Sequence, residues 1–167
     1  RSHNVALVAC NDYEQVTALL STCRGQLGSA LCGFEVMWDS YFHTVVKPEG
    51  RLPTPVDLSY RFYVIIEATG TQPGLDDEAF EAAIGEMFDA GYCADGVIAK
   101  SEAERDAIWA IRHEVEWVVR DAHVFDVSLP IADVYDYNET ITAGIGADIP
   151  DAKVVTFGHL GDNNIHI

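Results

Sequence analysis

Short apolar runs alternate with helix-period stretches along the whole chain. Val5 to Cys10 is unbroken by any polar side chain, and a run of that length predicts a buried strand. Asn11 or Asp12 then caps a helix in which Val16, Leu19, Leu20 and Cys23 recur at helical spacing, with Gly25 and Gly28 as its stop. Leu31 to Trp38 reads as a second strand. The stretch that follows, through Pro48, Gly50, Pro53 and Pro55, reads mostly as loop. From Tyr60 to Thr69 the residues Tyr60, Phe62, Val64, Ile66 and Ala68 share one face, while Arg61, Glu67 and Thr69 share the other. That pattern predicts a strand with one side better buried.

Asp76 and Asp77 open a helix that buries Phe80, Ile84, Met87 and Phe88 and ends at Gly91, a residue suited to a left-handed cap. Cys93 to Ala99 returns as a strand. Ser101 and Glu104 have the spacing of a capping box, ahead of an apolar stripe at Ile108, Ile111, Val115 and Val118. A strand from Val124 to Leu129 is closed by Pro130, and a helix runs through Val134, Asn138, Ile141 and Ile145. Val154 to Phe157 leads into the closing segment. Alternation of strand and helix by itself favours a parallel α/β sheet. The one-sided strand around Phe62 and the closing hairpin favour an α+β fold with an antiparallel sheet instead.

The closing segment, Gly158 to His166, reads GHLGDNNIH. A two-residue loop at Asp162 and Asn163 would set His159 opposite His166, Leu160 opposite Ile165 and Gly161 opposite Asn164. Opposed residues share a face with Cβ atoms about 5 Å apart, a separation that suits two nitrogens on one metal ion. A divalent ion needs further ligands, often a carboxylate, and histidines on strands are also commonly packed or surface residues. Arg112 lies on the capped helix in the row Trp109, Arg112, Glu116, beside the apolar face. It could grip a carboxylate through two parallel hydrogen bonds, or form a surface pair with Glu116. Asp162 could fix the tautomer of one imidazole or cap the turn. Glu35 and Glu67 lie on strands and could approach the site, although strand carboxylates are more often solvent-facing; His3, His43, His113 and His123 read as surface or core residues.

Composition narrows the classes. With 167 residues and 49% hydrophobic content the chain can bury the core of one globular domain. A formal charge of −17 repels nucleic acid and anionic lipid, and an anionic small substrate would need a cation placed locally. Cys10, Cys23, Cys32 and Cys93 lack paired spacing and read as free thiols. No run approaches the roughly 20 apolar residues of a membrane span. The chain opens at Arg1 without Met and closes inside a motif, so residues 1–167 read as a domain truncated at both ends. A cytoplasmic compartment is expected, with peripheral membrane association allowed, and a homodimer is admitted.

GHLGDNNIH resembles the GHLGDGNLH signature of the C-terminal domain of FAD-linked oxidases, the family of D-lactate, D-2-hydroxyglutarate and glycolate dehydrogenases. The segment IWAIRHEVEWVVRDAHVFDVSLP is similar to the family's helix and following strand. The resemblance implies an antiparallel sheet of ferredoxin-like character with helices packed on one side. It implies that Arg112 binds the substrate carboxylate and that Asp126, Ser128 and Pro130 belong to the strand beside the site. It further implies that His159 and His166 bind a divalent zinc, manganese or iron ion, and that Asn164 touches the flavin or holds its loop. A Glu that completes the metal site and a His that removes the hydroxyl proton are placed beyond Ile167. Asn163 stands where the family usually has Gly, a change that costs little if the loop is left-handed there. Glu116 and Val124 depart from the hydroxyglutarate-type members, which have a hydroxyl side chain and a lysine, so a second anion grip is not implied.

The function expected is therefore the substrate domain of an FAD-dependent dehydrogenase that oxidises a D-2-hydroxy acid to the 2-oxo acid. FAD would be held mainly by another part of the protein, and residues 1–167 alone would turn over nothing. The alternatives are a stand-alone metal- or ligand-binding α+β module without redox activity, or metal-assisted hydrolysis.

Overall fold

A computed structural model describes residues 1–46, 52–120 and 122–167, without the side chain of Trp117. The strands are β1 (Ser2–Cys10), β2 (Leu31–Trp38), β3 (Phe62–Gly70), β4 (Asp95–Ile98), β5 (Asp126–Ser128), β6 (Phe157–His159) and β7 (Asn164–His166). The helices are α1 (Tyr13–Leu27), α2 (Asp39–Val46), α3 (Leu75–Asp89), α4 (Glu102–His113), α5 (Val115–Val118) and α6 (Ile131–Asp148). All strands join one antiparallel sheet in the order β4-β1-β3-β2-β6-β7-β5. The expected α+β class with an antiparallel sheet is what the chain forms.

Local chemistry places most elements where the pattern put them. Asp12 caps α1 by accepting from the backbone N–H of Gln15 at 2.8 Å, which satisfies one of the orphan donors of the first turn. Ser101 does the same for α4, accepting from Glu104 N–H at 3.2 Å. The Glu104 carboxylate reaches past the cap residue and accepts from the N–H of Lys100 at 2.6 Å.

The four strands β4-β1-β3-β2 with α1 and α3 form the β-α-β-β-α-β arrangement. Ala6, Val8, Cys10, Val36, Phe62 and Val64 meet α1, α3 and α6 on one face. The opposite face does not stay bare, contrary to the expectation of helices on one side. Val5, Leu7, Ala9, Met37, Tyr63 and Ile65 form a second core with Tyr41, Phe42 and Val45 of α2 and Ile108 and Ile111 of α4. For the same reason β3 is buried on both sides over its first half: Tyr63 and Ile65 are fully buried under Phe42, whose ring stacks on Tyr63 at 3.6 Å between centroids.

Two further differences follow from tertiary packing. Asp39–Val46, which falls where loop was expected to begin, is the helix α2, because Tyr41, Phe42, Val45 and Val46 present one apolar face to the second core. The expectation for Pro48 and Gly50 lies outside the described residues. The apolar stripe from Ile108 to Val118 is divided: α4 ends at His113, and α5 resumes after Glu114.

The second core covers only part of its face. Beyond β2 the sheet continues through β6, β7 and β5, and there the same face carries polar side chains. His159 and Glu35 are paired across β6 and β2, while Asn164 and His166 pair with Ser128 and Asp126 across β7 and β5. The boundary between the apolar and polar halves of this face is where the candidate chemistry lies.

Candidate functional site

The closing segment does not form the expected two-residue hairpin. Leu160–Asp162 is a single 3-10 turn, Asn163 follows at φ 61° and ψ 28°, and its N–H donates to the carbonyl of Leu160 at 3.1 Å. His166 is therefore opposite Phe157, not His159. The slip is two residues, and because side chains alternate with period two, an even slip preserves the face. His159 and His166 still meet, with ring centroids 5.5 Å apart and planes perpendicular. Asn163 has the left-handed conformation that asparagine tolerates better than most residues.

Close approach of β6 and β7 depends on Gly158. A Cβ at that position would lie 2.5 Å from the carbonyl oxygen of Asn164 and 2.5 Å from the Cα of Ile165. Only a residue without a side chain lets the two backbones come this close.

Arg112 reaches the same place from α4. Its Nε donates to Glu35 Oε2 at 3.0 Å, and its Cζ lies 4.5 Å from the centroid of the Phe157 ring. The expected partner Glu116 is not the one it takes. The other oxygen of Glu35, Oε1, lies 2.5 Å from Nδ1 of His159. The side chains of Glu35 and Arg112 are 6% and 8% exposed, whereas that of His159 is 48% exposed. One carboxylate thus holds a guanidinium on one oxygen and an imidazole on the other, beneath the open surface of the sheet. Glu35 corrects the reading of a solvent-facing strand carboxylate. The signal was its position: the lone charge in the run Phe34, Glu35, Val36, Met37, Trp38, on the face shared with Met37.

Glu67 makes a similar contact one strand further in, half-buried and not sealed as Glu35 is. It accepts from Trp109 Nε1 at 3.2 Å and also contacts His3. Gly33 leaves the room for this, since a Cβ there would meet Glu67 Cβ at 3.1 Å and the Trp109 ring at 3.6 Å. The row Trp109, Arg112 is thereby anchored to the sheet at two carboxylates. His113 stacks on Trp109, and His43 is bonded to the carbonyl of Leu58.

On the outer strands, Asn164 Nδ2 donates to Asp126 Oδ1 at 2.5 Å, and Asp126 Oδ2 lies 3.8 Å from His166 Nδ1. Asn164 therefore ties β7 to β5. Asp162 lies exposed in the 3-10 turn. Burial holds the pKa of His166 below its ordinary 6.5, with the charges of Arg112 and His159 acting in the same direction and Asp126 opposing. His166 is expected to stay neutral at pH 7 and to titrate below 6.5 by NMR. Since the unfolded chain takes up this proton first, its contribution to stability is present above about pH 6.5 and lost as the pH falls below it. A titration midpoint above that value would contradict the packing described.

As a metal site the pair is half complete. Two imidazole nitrogens are donors of the right kind, yet among the described residues no group of three or more His, Cys, Asp or Glu side chains gathers to hold an ion. The cleft against Glu35 and His159, lined also by Cys32, Gly33, Gly161 and Asp162, has a volume of about 220 Å³, below the usual range for enclosing a ligand. Larger clefts of about 520 and 820 Å³ lie elsewhere, by Pro53 and Ile108 and by Tyr13 and Tyr135. Neither contains Glu35, Arg112, His159 or His166, so the chemistry and the larger cavities do not coincide.

The sequence profile of the FAD linked oxidases, C-terminal domain, matches residues 1–167. The chain belongs to that family. Among curated relatives of this FAD-linked oxidase domain, the mitochondrial D-2-hydroxyglutarate dehydrogenase of Bos taurus is 37% identical over 168 residues, 98% of this chain and 30% of that protein. The mitochondrial D-2-hydroxyglutarate dehydrogenase of Rattus norvegicus is 36% identical over 168 residues, with the same shares covered. The D-2-hydroxyglutarate–pyruvate transhydrogenase of Saccharomyces cerevisiae is 28% identical over 174 residues, 98% of this chain and 35% of that protein. The FAD-linked oxidase domain thus spans about a third of the length of the relatives it matches. No helix among its described residues is long and apolar enough to cross a membrane.

Proposed function

We propose that the full-length protein is an FAD-dependent dehydrogenase that oxidises a D-2-hydroxy acid to the 2-oxo acid, with this chain as its substrate domain. One observation carries the reading: a guanidinium and an outward imidazole are held by one buried carboxylate on an open, polar sheet face, within a domain of the FAD-linked oxidase family. The family match over the whole chain favours this over a stand-alone module or a hydrolase.

The residues divide the work. Glu35 accepts from Nε of Arg112, and we assign the Nη end of the guanidinium to the substrate carboxylate. The exposed ring of His159 presents Nε2 toward the same face and can accept a hydrogen bond from the substrate hydroxyl. When bound, FAD would supply the acceptor for the hydride that leaves C2 of the acid. A divalent ion, if it forms part of the site, would be held by His159 and His166 with further ligands outside the described residues, and would lower the pKa of the hydroxyl. Asn164 would hold β7 in place or meet the flavin. The bovine and rat relatives are named mitochondrial, and we place the protein in that compartment where its organism has one, in place of the cytoplasmic expectation.

The test is dye-linked turnover by the full-length protein on D- and L-2-hydroxy acids. Arg112→Lys keeps the charge but loses the fork geometry. With about 2–5 kcal/mol attached to a buried charged hydrogen-bond partner, kcat/KM should fall by roughly 10²-fold or more. Equal use of both enantiomers, or an Arg112→Lys enzyme with unchanged kcat/KM, would refute the assignment.

A further inference from the structure

We propose that Glu35 is a positioning residue that fixes the tautomer of His159 and the orientation of Arg112 together, so that the imidazole and the guanidinium act on one ligand as a unit. The inference rests on the function proposed above and deepens it. It stands on three observations. The first is register: Glu35 of β2 is directly opposite His159 of β6, so backbone pairing sets their approach before any side chain is chosen. The second is the division of the two carboxylate oxygens, Oε2 accepting from Arg112 Nε at 3.0 Å and Oε1 meeting His159 Nδ1 at 2.5 Å. The third is burial, since Glu35 is among the few charged residues sealed within the fold.

The chemistry follows from what each atom can do. A carboxylate that already accepts from a guanidinium is an acceptor for the imidazole as well, so Nδ1 carries the proton and Nε2 is left with its lone pair. Which ring nitrogen is protonated is set by the partner of the other. With Nε2 unprotonated, that nitrogen can accept from a hydroxyl or share its lone pair with a cation, which it cannot do when it carries the proton. For Arg112 the hydrogen bond at Nε and the Phe157 ring, 4.5 Å from Cζ, fix the guanidinium from two sides. The paired charges cancel, so the imidazole does not face an uncompensated guanidinium. Loss of the carboxylate would disturb both ligand-facing groups at once, an effect that separate contacts would not produce.

The experiment uses the full-length protein with ¹⁵N-labelled histidine, the His159 signals being assigned by their loss in His159→Gln. In the wild type His159 should show a protonated Nδ1 and an unprotonated Nε2. In Glu35→Gln, whose side-chain amide can donate as well as accept, the Nε2-protonated form should appear, with kcat lower by about 10–100-fold, as expected for loss of such an orienting partner. A wild-type His159 protonated at Nε2 would overturn the proposal without need of a variant that folds. So would a Glu35→Gln protein with an unaltered tautomer and turnover. The spectroscopic result does not depend on catalysis. A protein that oxidises no hydroxy acid but shows Glu35-dependent protonation of His159 would refute the functional assignment while supporting the positioning role.

Discussion

Glu35→Leu is expected to destabilise the domain by about 3–5 kcal/mol, the cost of stranding one partner of a buried ion pair. Arg112 has nowhere to move. Its side chain is 8% exposed, it is seated on Phe157, and α4 is held by Ile108 and Ile111 in the second core. Removing the guanidinium as well should reverse most of the loss, because the double variant Glu35→Leu with Arg112→Met replaces a buried pair by apolar groups of similar size, a change that is often neutral or favourable. The two sites are in contact, so strong non-additivity is the signature sought. Chemical denaturation of wild type, both single variants and the double variant measures it. Additive effects would mean that the pair is solvated. The double variant should nonetheless be catalytically dead, which separates the stability of this cluster from its use.

Gly158→Ala should be nearly as damaging, through the backbone alone. The new methyl would meet two backbone atoms of β7 at 2.5 Å. Neither is the end of a flexible side chain, so the strands must part. Overpacking of a tight site costs about 1–3 kcal/mol, and here the displacement falls between the strands that carry His159 and His166. Activity should drop to background while α1, α3 and the first four strands keep their fold. A circular dichroism spectrum close to wild type with turnover abolished is the expected combination; full activity would show that the two strands are not held at this distance.

Elements built on local signals were legible in the sequence. The Asp12 cap, the Ser101 cap, the left-handed Gly91 and the apolar face of α3 each follow from a few neighbouring residues. What escaped was set by partners far along the chain. The pattern of β3 read as one-sided because Tyr63 and Ile65 were not counted as a second face, and only α2 and α4 make it one. The hairpin read as a two-residue loop because Asp-Asn suits one, whereas a 3-10 turn at Leu160 displaces the register by two. That error did not spread, since an even slip leaves the two imidazoles on one face. Arg112, His159 and His166 were each named from the motifs, and the structure brings them together. Glu35 was not, because a glutamate in a strand is usually solvated, and its partners lie 77 and 124 residues away.

The central claim is that this domain presents a D-2-hydroxy acid to a flavin, and the most direct measurement is anaerobic reduction of the full-length protein. Mixed with a D-2-hydroxy acid in the absence of any electron acceptor, the oxidised flavin absorbance should bleach in a single exponential and the 2-oxo acid should form in equal amount. The Arg112→Lys protein, equally loaded with FAD, should bleach far more slowly at the same concentration. A flavin-loaded wild type that stays yellow with every D-2-hydroxy acid tried would contradict the account.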